Sequence, residues 1–116
     1  MGLTMGPPIV RSIQQNRAAQ YIEALNKILS EKRLNMVLVV IPNNKSDAYA
    51  AVKKLCLLQK PTPSQCVTAT VLNKWVPKGC TSVAQKVAVQ MASKLGGEPW
   101  AVKIPVNGLM VIGKCL

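Results

Sequence analysis

The chain of 116 residues has no histidine and no phenylalanine, and only 3% of its residues are aromatic. Without histidine the familiar zinc-binding spacings are excluded, and few enzymatic interpretations remain. The scarcity of aromatic residues argues against the kind of RNA-binding sheet that stacks several bases on aromatic side chains. These absences favour a binding role over a catalytic one.

Acidic residues are also scarce: four aspartates and glutamates stand against fifteen lysines and arginines, which gives a net charge of +11. In a folded domain this excess predicts a polyanionic partner, either nucleic acid or an anionic membrane surface. Alternatively, the chain is a piece of a larger protein whose other parts carry the acids, and both explanations can hold. A hydrophobic content of 49% argues against disorder, and the length suits one domain.

The four cysteines, Cys56, Cys66, Cys80 and Cys115, form no C-x-x-C pair, so we expect reduced thiols rather than a disulfide framework. No apolar run approaches the ~20 residues that a membrane span requires. The first residues lack the features of a signal peptide. These observations predict a cytoplasmic or nuclear protein.

Apolar periodicity predicts alternating strands and helices after an extended lead-in over 1–10. The predicted helices cover 12–32, 46–58 and 81–94, the predicted strands cover 36–41, 65–71, 100–104 and 109–112, and a loop covers 73–79. The continuous β-branched runs predict strands that are covered on both faces. The order predicts an α/β, Rossmann-like fold with a parallel central sheet of about four strands flanked by helices.

A set of ordinary residues on these elements could bind a phosphate. Its members are Tyr49, Lys53, Gln65, Lys86, Gln90 and Lys94. Taken singly, each has a structural explanation; a lysine on an amphipathic helix, for example, commonly extends from the apolar face to solvent. Taken together, the ammonium, amide and phenol donors suit a terminal phosphate, and the tyrosine ring could stack on the attached base.

Glycine-rich phosphate loops are absent, since neither G-x-G-x-x-G nor G-x-x-x-x-G-K-[ST] occurs. An anion must therefore be held largely by side chains. Open parallel sheets bind ligands beyond the carboxyl ends of their strands, and the loop over 42–47 is predicted to lie at such a place.

Three segments resemble the MID domain of Argonaute proteins: Tyr49-Ala-Ala-Val-Lys53-Lys54, Pro61-Thr-Pro-Ser-Gln65-Cys66-Val67 and Val87-Ala-Val-Gln90-Met-Ala-Ser-Lys94-Leu-Gly-Gly97. Gln90 stands where many members of the Argonaute clade carry lysine, which makes the chain similar to the PIWI clade. The resemblance covers about 8–113. It implies that 1–116 is a single MID domain whose last residues, from about 109, begin the strand leading into the PIWI domain.

The resemblance implies a pocket for the 5′-monophosphate of a small guide RNA, namely a PIWI-interacting RNA. By position, Tyr49 would stack on the first base and bond the phosphate, while Lys53, Gln65 and Lys94 would hold phosphate oxygens. Cys66 would offer its backbone amide. The residues implied to read the first base, which the PIWI clade favours as uridine, are Asn43, Asn44, Lys45, Asp47 and Tyr49.

The resemblance further implies that Gln90 helps to place a Mg²⁺ ion beside the phosphate. The implied partners are a 5′-phosphorylated single-stranded guide RNA and the other domains of a parent Argonaute, with a monomeric chain and no membrane. The implied function is RNA-guided silencing in the cytoplasm, in perinuclear germ granules or in the nucleus. The chain is expected to bind rather than cut, because the family's cleavage site lies in its C-terminal domain.

Two parts of the chain depart from the family pattern. Cys115 stands where the family's next domain carries a catalytic aspartate, and the segment around Trp75 matches nothing typical. Two other functions remain as alternatives: a Rossmann-like domain for a nucleotide cofactor, and a basic module that binds acidic protein or membrane surfaces.

Overall fold

The computed structural model describes residues 5–43, 46–78 and 81–114. The elements in chain order are helix α1 (Ala18–Glu31), strand β1 (Val37–Ile41), helix α2 (Ser46–Lys54), a π-helical turn (Leu55–Gln59), strand β2 (Ser64–Thr68), helix α3 (Ala69–Lys78) and helix α4 (Thr81–Lys94). The two strands pair in parallel, with Val37 opposite Ser64 and Ile41 opposite Thr68. The predicted α/β class with a helix-flanked parallel sheet is confirmed, although the described residues form two strands rather than about four.

The core lies between α1, α2 and one face of β1. Its members are Tyr21, Leu25, Val39, Ile41, Ala48, Val52, Leu55 and Cys56. The alternation of side chains along β1 sends Val39 and Ile41 into this core. It leaves Leu38 and Val40 partly exposed on the other face. The expectation that β1 is covered on both faces is therefore wrong.

The first helix begins at Ala18, six residues later than predicted. Arg17 before it has an extended backbone, and its carbonyl accepts the first helical hydrogen bond, from the amide of Gln20. The four residues over 14–17 are all polar, so an additional helical turn there would bury no apolar surface.

The second strand ends at Thr68, and the next helix occupies most of the region predicted as a loop. The hydroxyl of Thr68 accepts a hydrogen bond from the amide of Val71, which satisfies one of the free amides at the start of α3. The β-branched residues over 70–71 favoured a longer strand, and Pro77 favoured a loop. The helix forms against both of these local preferences, with Thr68 at its N-cap position.

The predicted end of α4 at Lys94 is confirmed, with Gly96 in a left-handed conformation at φ 86°. The amide of Gly97 bonds the carbonyl of Ala92, and the amide of Gly96 bonds that of Ser93, which together form a Schellman motif. The predicted strands over 100–104 and 109–112 are not formed, and their apolar side chains are exposed. A short apolar run is compatible with a strand but does not supply the partner that a strand requires.

We predict that Leu55→Ala lowers the free energy of unfolding by about 2–5 kcal/mol, because it leaves a cavity where a side chain is 1% exposed. The matched control is Leu57→Ala two residues later, where the side chain is 66% exposed. Denaturant titration would measure both. Equal losses in the two variants would contradict the position of the core.

Candidate anion-binding site

Several of the side chains predicted to bind phosphate meet at the amino end of β2. Lys53 lies in the last turn of α2, Lys94 ends α4, and Ser64 and Gln65 begin β2. Both helices return from the far end of the sheet, so their last turns reach the edge where β2 starts. This group of residues therefore lies at the opposite edge of the sheet from the loop over 42–47, which is predicted to lie beyond the carboxyl ends of the strands.

Two lysine ammonium groups converge on one backbone carbonyl. Lys53 Nζ donates to the carbonyl oxygen of Ser64 at 2.8 Å, and Lys94 Nζ donates to the same oxygen at 3.0 Å. Lys53 Nζ also donates to Ser64 Oγ at 3.0 Å. Ser64 is buried, and its position in the strand fixes where the two positive charges meet. Sequence reasoning missed Ser64, because the contact that both lysines share is made by its backbone carbonyl, which has no signature in residue type.

Gln65 connects this pair of lysines to α4. Its Oε1 accepts a hydrogen bond from Lys94 Nζ at 2.6 Å. Its Nε2 donates to Gln90 Oε1 at 3.2 Å and to the carbonyl of Cys66 at 3.4 Å. Gln65 is only 7% exposed, so this network orients a largely buried amide. The structure thus joins four of the predicted phosphate-binding residues: Lys53, Gln65, Gln90 and Lys94.

Tyr49 lies one helical turn before Lys53 on α2. Lys53 Nζ is 5.8 Å from the centroid of the Tyr49 ring, within the range of a cation–π contact. The tyrosine side chain is 48% exposed. The aromatic ring therefore borders Lys53 and remains accessible for stacking.

The residues predicted to read a base lie at the other end of α2. Asn43 follows β1, and Asp47 is in the first turn of α2, both with exposed side chains. Asn44 and Lys45 lie outside the described residues. Six residues separate Asp47 from Lys53, which corresponds to about 9 Å along the helix axis. Tyr49 lies between them, so the segment before α2, the tyrosine ring and the Lys53 ammonium group follow one another along the helix.

Lys86 lies on α4 about 12 Å along the axis before Lys94, too far for it to join the same network. Its exposed position on the helix suits a solvated charge at the periphery of the site.

The two positive charges of Lys53 and Lys94 lie close together, and the groups that they contact carry no negative charge. Burial lowers the pKa of Lys94, and the nearby positive charge of Lys53 lowers it further. The hydrogen bonds that hold the two ammonium groups together go to neutral oxygens. An anion placed between these groups would be attracted by both.

The thiols near the site are not activated nucleophiles. Cys56 and Cys66 are free, and burial raises the pKa of both, although the charge of Lys53 acts in the opposite direction. A thiol with a raised pKa stays protonated and is a poor nucleophile at neutral pH. Cys80 and Cys115 lie outside the described residues.

Within the described ranges, no group of three or more histidine, cysteine, aspartate or glutamate residues could hold a metal ion. The two amide oxygens of the network already accept hydrogen bonds, from Lys94 and from Gln65. Over the same ranges, no helix has both the length and the apolar character to cross a membrane.

Comparison with known proteins places the chain in a family. Residues 36–114 match the Piwi domain family. The chain is 39% identical over 105 residues to Piwi-like protein 1 of Danio rerio, and 36% identical over 113 residues to Protein argonaute-3 of Drosophila melanogaster. It is 34% identical over 113 residues to Piwi-like protein Siwi of Bombyx mori.

These alignments cover 90–97% of the chain but only 10–13% of each relative. The chain belongs to the Piwi domain family and corresponds to part of a PIWI-clade Argonaute protein. The resemblance to that clade is thereby confirmed, and the narrower assignment to the MID domain stays a prediction.

We predict that Lys53→Met raises the pKa of Lys94, because it removes a neighbouring positive charge while most of the burial remains. NMR titration of lysine side chains would measure this, with Lys54→Met as the control. Because folding lowers the pKa of Lys94, this residue loses its proton at a lower pH in the folded state than in the unfolded state. Its contribution to the free energy of unfolding therefore rises with pH until about pH 10.5, the ordinary pKa of lysine. That rise should shrink in Lys53→Met.

The raised pKa values of Cys56 and Cys66 make the free energy of unfolding fall with pH over the alkaline range, opposite to the effect of Lys94. The effect of Lys94 is therefore read from the difference between variants rather than from one pH profile. If Lys54→Met shifted the Lys94 pKa as much as Lys53→Met, the described arrangement of the two ammonium groups would be wrong.

Proposed function

We propose that the chain is the MID domain of a PIWI-type Argonaute and binds the 5′-monophosphate and first nucleotide of a small guide RNA. In this proposal the chain serves RNA-guided silencing as a binding module rather than as a nuclease. The observation that carries it is the convergence of Lys53 and Lys94 on the carbonyl of Ser64, in one network with Gln65 and Gln90.

A terminal phosphate suits this group better than a single-charge anion does. It carries close to two negative charges and three acceptor oxygens at neutral pH. Each ammonium group has three hydrogens, and the bonds described above use two on Lys53 and two on Lys94. The third hydrogen of each is the donor that we assign to phosphate oxygens, and the phosphate charge offsets the repulsion between the lysines.

The first nucleotide would extend from the phosphate along α2. The Tyr49 ring borders Lys53 and would stack on the first base, a contact worth about 1–3 kcal/mol. Asn43 and Asp47 lie at the far end of the same helix. Together with Asn44 and Lys45, which are outside the described residues, they would read the edge of the base. A uridine preference is part of this proposal.

A Mg²⁺ ion fits the site only together with the ligand. Mg²⁺ prefers carboxylates, water and substrate phosphates as ligands, whereas the network offers ammonium groups and amide oxygens that already accept hydrogen bonds. We therefore propose that Mg²⁺ enters with the phosphate and that Gln90 contributes its amide oxygen. The ion would supply positive charge at a position where glutamine supplies none.

The central experiment compares a short oligouridine with a 5′-phosphate and the same strand with a 5′-hydroxyl, by fluorescence anisotropy with and without Mg²⁺. We expect the phosphorylated strand to bind more tightly. Lys53→Ala and Lys94→Ala should each reduce this advantage about 10- to 100-fold, since a hydrogen bond to a charged group is worth about 1.5–3 kcal/mol.

Lys54→Ala is the matched control, because Lys54 is adjacent in sequence, exposed and outside the network. If both strands bound wild-type protein equally well, the phosphate site would be refuted in favour of a general basic surface. If Mg²⁺ changed both affinities equally or not at all, the proposed role of the ion would be refuted.

A second experiment separates stacking from hydrogen bonding at Tyr49. Tyr49→Phe keeps the ring, whereas Tyr49→Ala removes it, so we expect Tyr49→Ala to lose about 1–3 kcal/mol more of UMP binding. Isothermal titration with UMP, AMP, CMP and GMP would measure this, and Asn43→Ala should change the order of preference among the four. Equal losses in Tyr49→Phe and Tyr49→Ala would rule out stacking as the function of the ring.

A further inference from the structure

A second basic cavity lies near the amino ends of both strands, apart from the group described above. Its volume is about 730 Å³, and it lies between the end of α1, the segment that leads into β1, and the segment that leads into β2. The cavity is lined by Leu29, Ser30, Glu31, Lys32, Arg33, Leu34, Asn35, Lys60, Pro61, Thr62 and Pro63. Three of these side chains are cationic, and Glu31 is the one acidic residue in the lining.

Lys60 joins the two walls of the cavity. Its Nζ donates to the carbonyl of Asn26 at 3.2 Å and to the hydroxyl of Ser30, both on α1. Helix α1 has no basic residue in its last turn, so Lys60 also interacts favourably with the carbonyl end of that helix. This structural role uses the charge of Lys60. Lys32, the C-cap residue of α1, and Arg33 after it also lie near that helix end, and their exposed side chains remain accessible to an anion.

The chain connects this cavity directly to the phosphate-binding residues. Lys60 precedes Ser64 by four residues, so their Cα atoms are at most about 14 Å apart. The carbonyl of Pro63, in the cavity wall, accepts a hydrogen bond from the amide of Val37 and thereby holds the segment against β1. The two basic regions therefore lie along one edge of the sheet.

The chemistry of the lining favours phosphate over a base. No aromatic side chain lines the cavity, so a base would find no stacking surface there. Lysine, arginine, hydroxyl and amide donors are the groups that contact phosphate oxygens in nucleic-acid complexes. The cavity is also wide and open to solvent, which suits a strand that passes across it.

We propose that this cavity is a second anion site, which holds a backbone phosphodiester of the strand whose 5′-phosphate lies at Lys53 and Lys94. The identity of the strand rests on the proposed function, whereas the preference for a phosphodiester rests on the cavity itself. A mononucleotide reaches only the first site, and a longer strand reaches both.

The test uses the 116-residue chain and the double variant Lys32→Gln/Arg33→Gln. We expect affinity for a 5′-phosphorylated oligouridine to fall about tenfold, while affinity for UMP is unchanged. The slope of log affinity against log salt should become shallower by about 0.7 for each phosphodiester that the variant no longer neutralises. The matched control Lys27→Gln/Lys103→Gln removes the same charge at exposed positions outside the cavity lining.

If both double variants weakened the oligonucleotide equally, or if the cavity variant weakened UMP as much as the oligonucleotide, the second site would be overturned. Failure of wild-type protein to bind UMP would refute the first site instead. In that case, the second site would still be supported if Lys32→Gln/Arg33→Gln lowered the affinity for the oligonucleotide and the control Lys27→Gln/Lys103→Gln did not. Thermal unfolding of each variant would verify that the fold is intact.

Discussion

The sharing of one carbonyl oxygen by two ammonium groups is the constraint on which the candidate site depends. Lys53 and Lys94 repel each other, and burial further disfavours the charge on Lys94. What holds them together is the position of Ser64, which β2 fixes through its parallel pairing with β1. The sheet therefore supplies the rigid acceptor, and the helices supply two charges that are not fully compensated. Such a site would be organised for the proposed anion before the anion arrives.

The rest of the fold determines where Gln65, Lys94 and Lys53 lie relative to one another. Side chains alternate along a strand, so a shift of β2 by one residue would turn Gln65 away from α4 and break its hydrogen bonds with Lys94 and Gln90. The Schellman motif after α4 ends that helix directly after Lys94, at the point where its side chain reaches β2. Val52 in α2 and Leu55 in the π-helical turn after it pack against the core with α1 and β1, and this packing fixes the position of Lys53.

Local spacing explains what could be predicted from the sequence. Tyr49 and Lys53, like Gln90 and Lys94, are four residues apart, so a helix alone places each pair on one side. The convergence on Ser64 was not predictable, because both lysines share its carbonyl oxygen, which any residue has, and only a second contact from Lys53 uses its hydroxyl. The strands expected over 100–104 and 109–112 failed for a different reason: a run of apolar residues suggests a buried segment, but pairing depends on a neighbour that the segment does not specify.

Gln90 shows how the amide network and the charge are coupled. Its Oε1 accepts from Gln65 Nε2, which leaves Gln65 Oε1 directed at Lys94. A lysine at this position would present a donor to another donor, so the Gln65 amide would lose a partner or reverse. Reversal would in turn deprive Lys94 of one of its two acceptors, and a third positive charge would add to the repulsion. The neutral amide at position 90 therefore fixes the orientation of Gln65, and that orientation holds the second ammonium group beside the first.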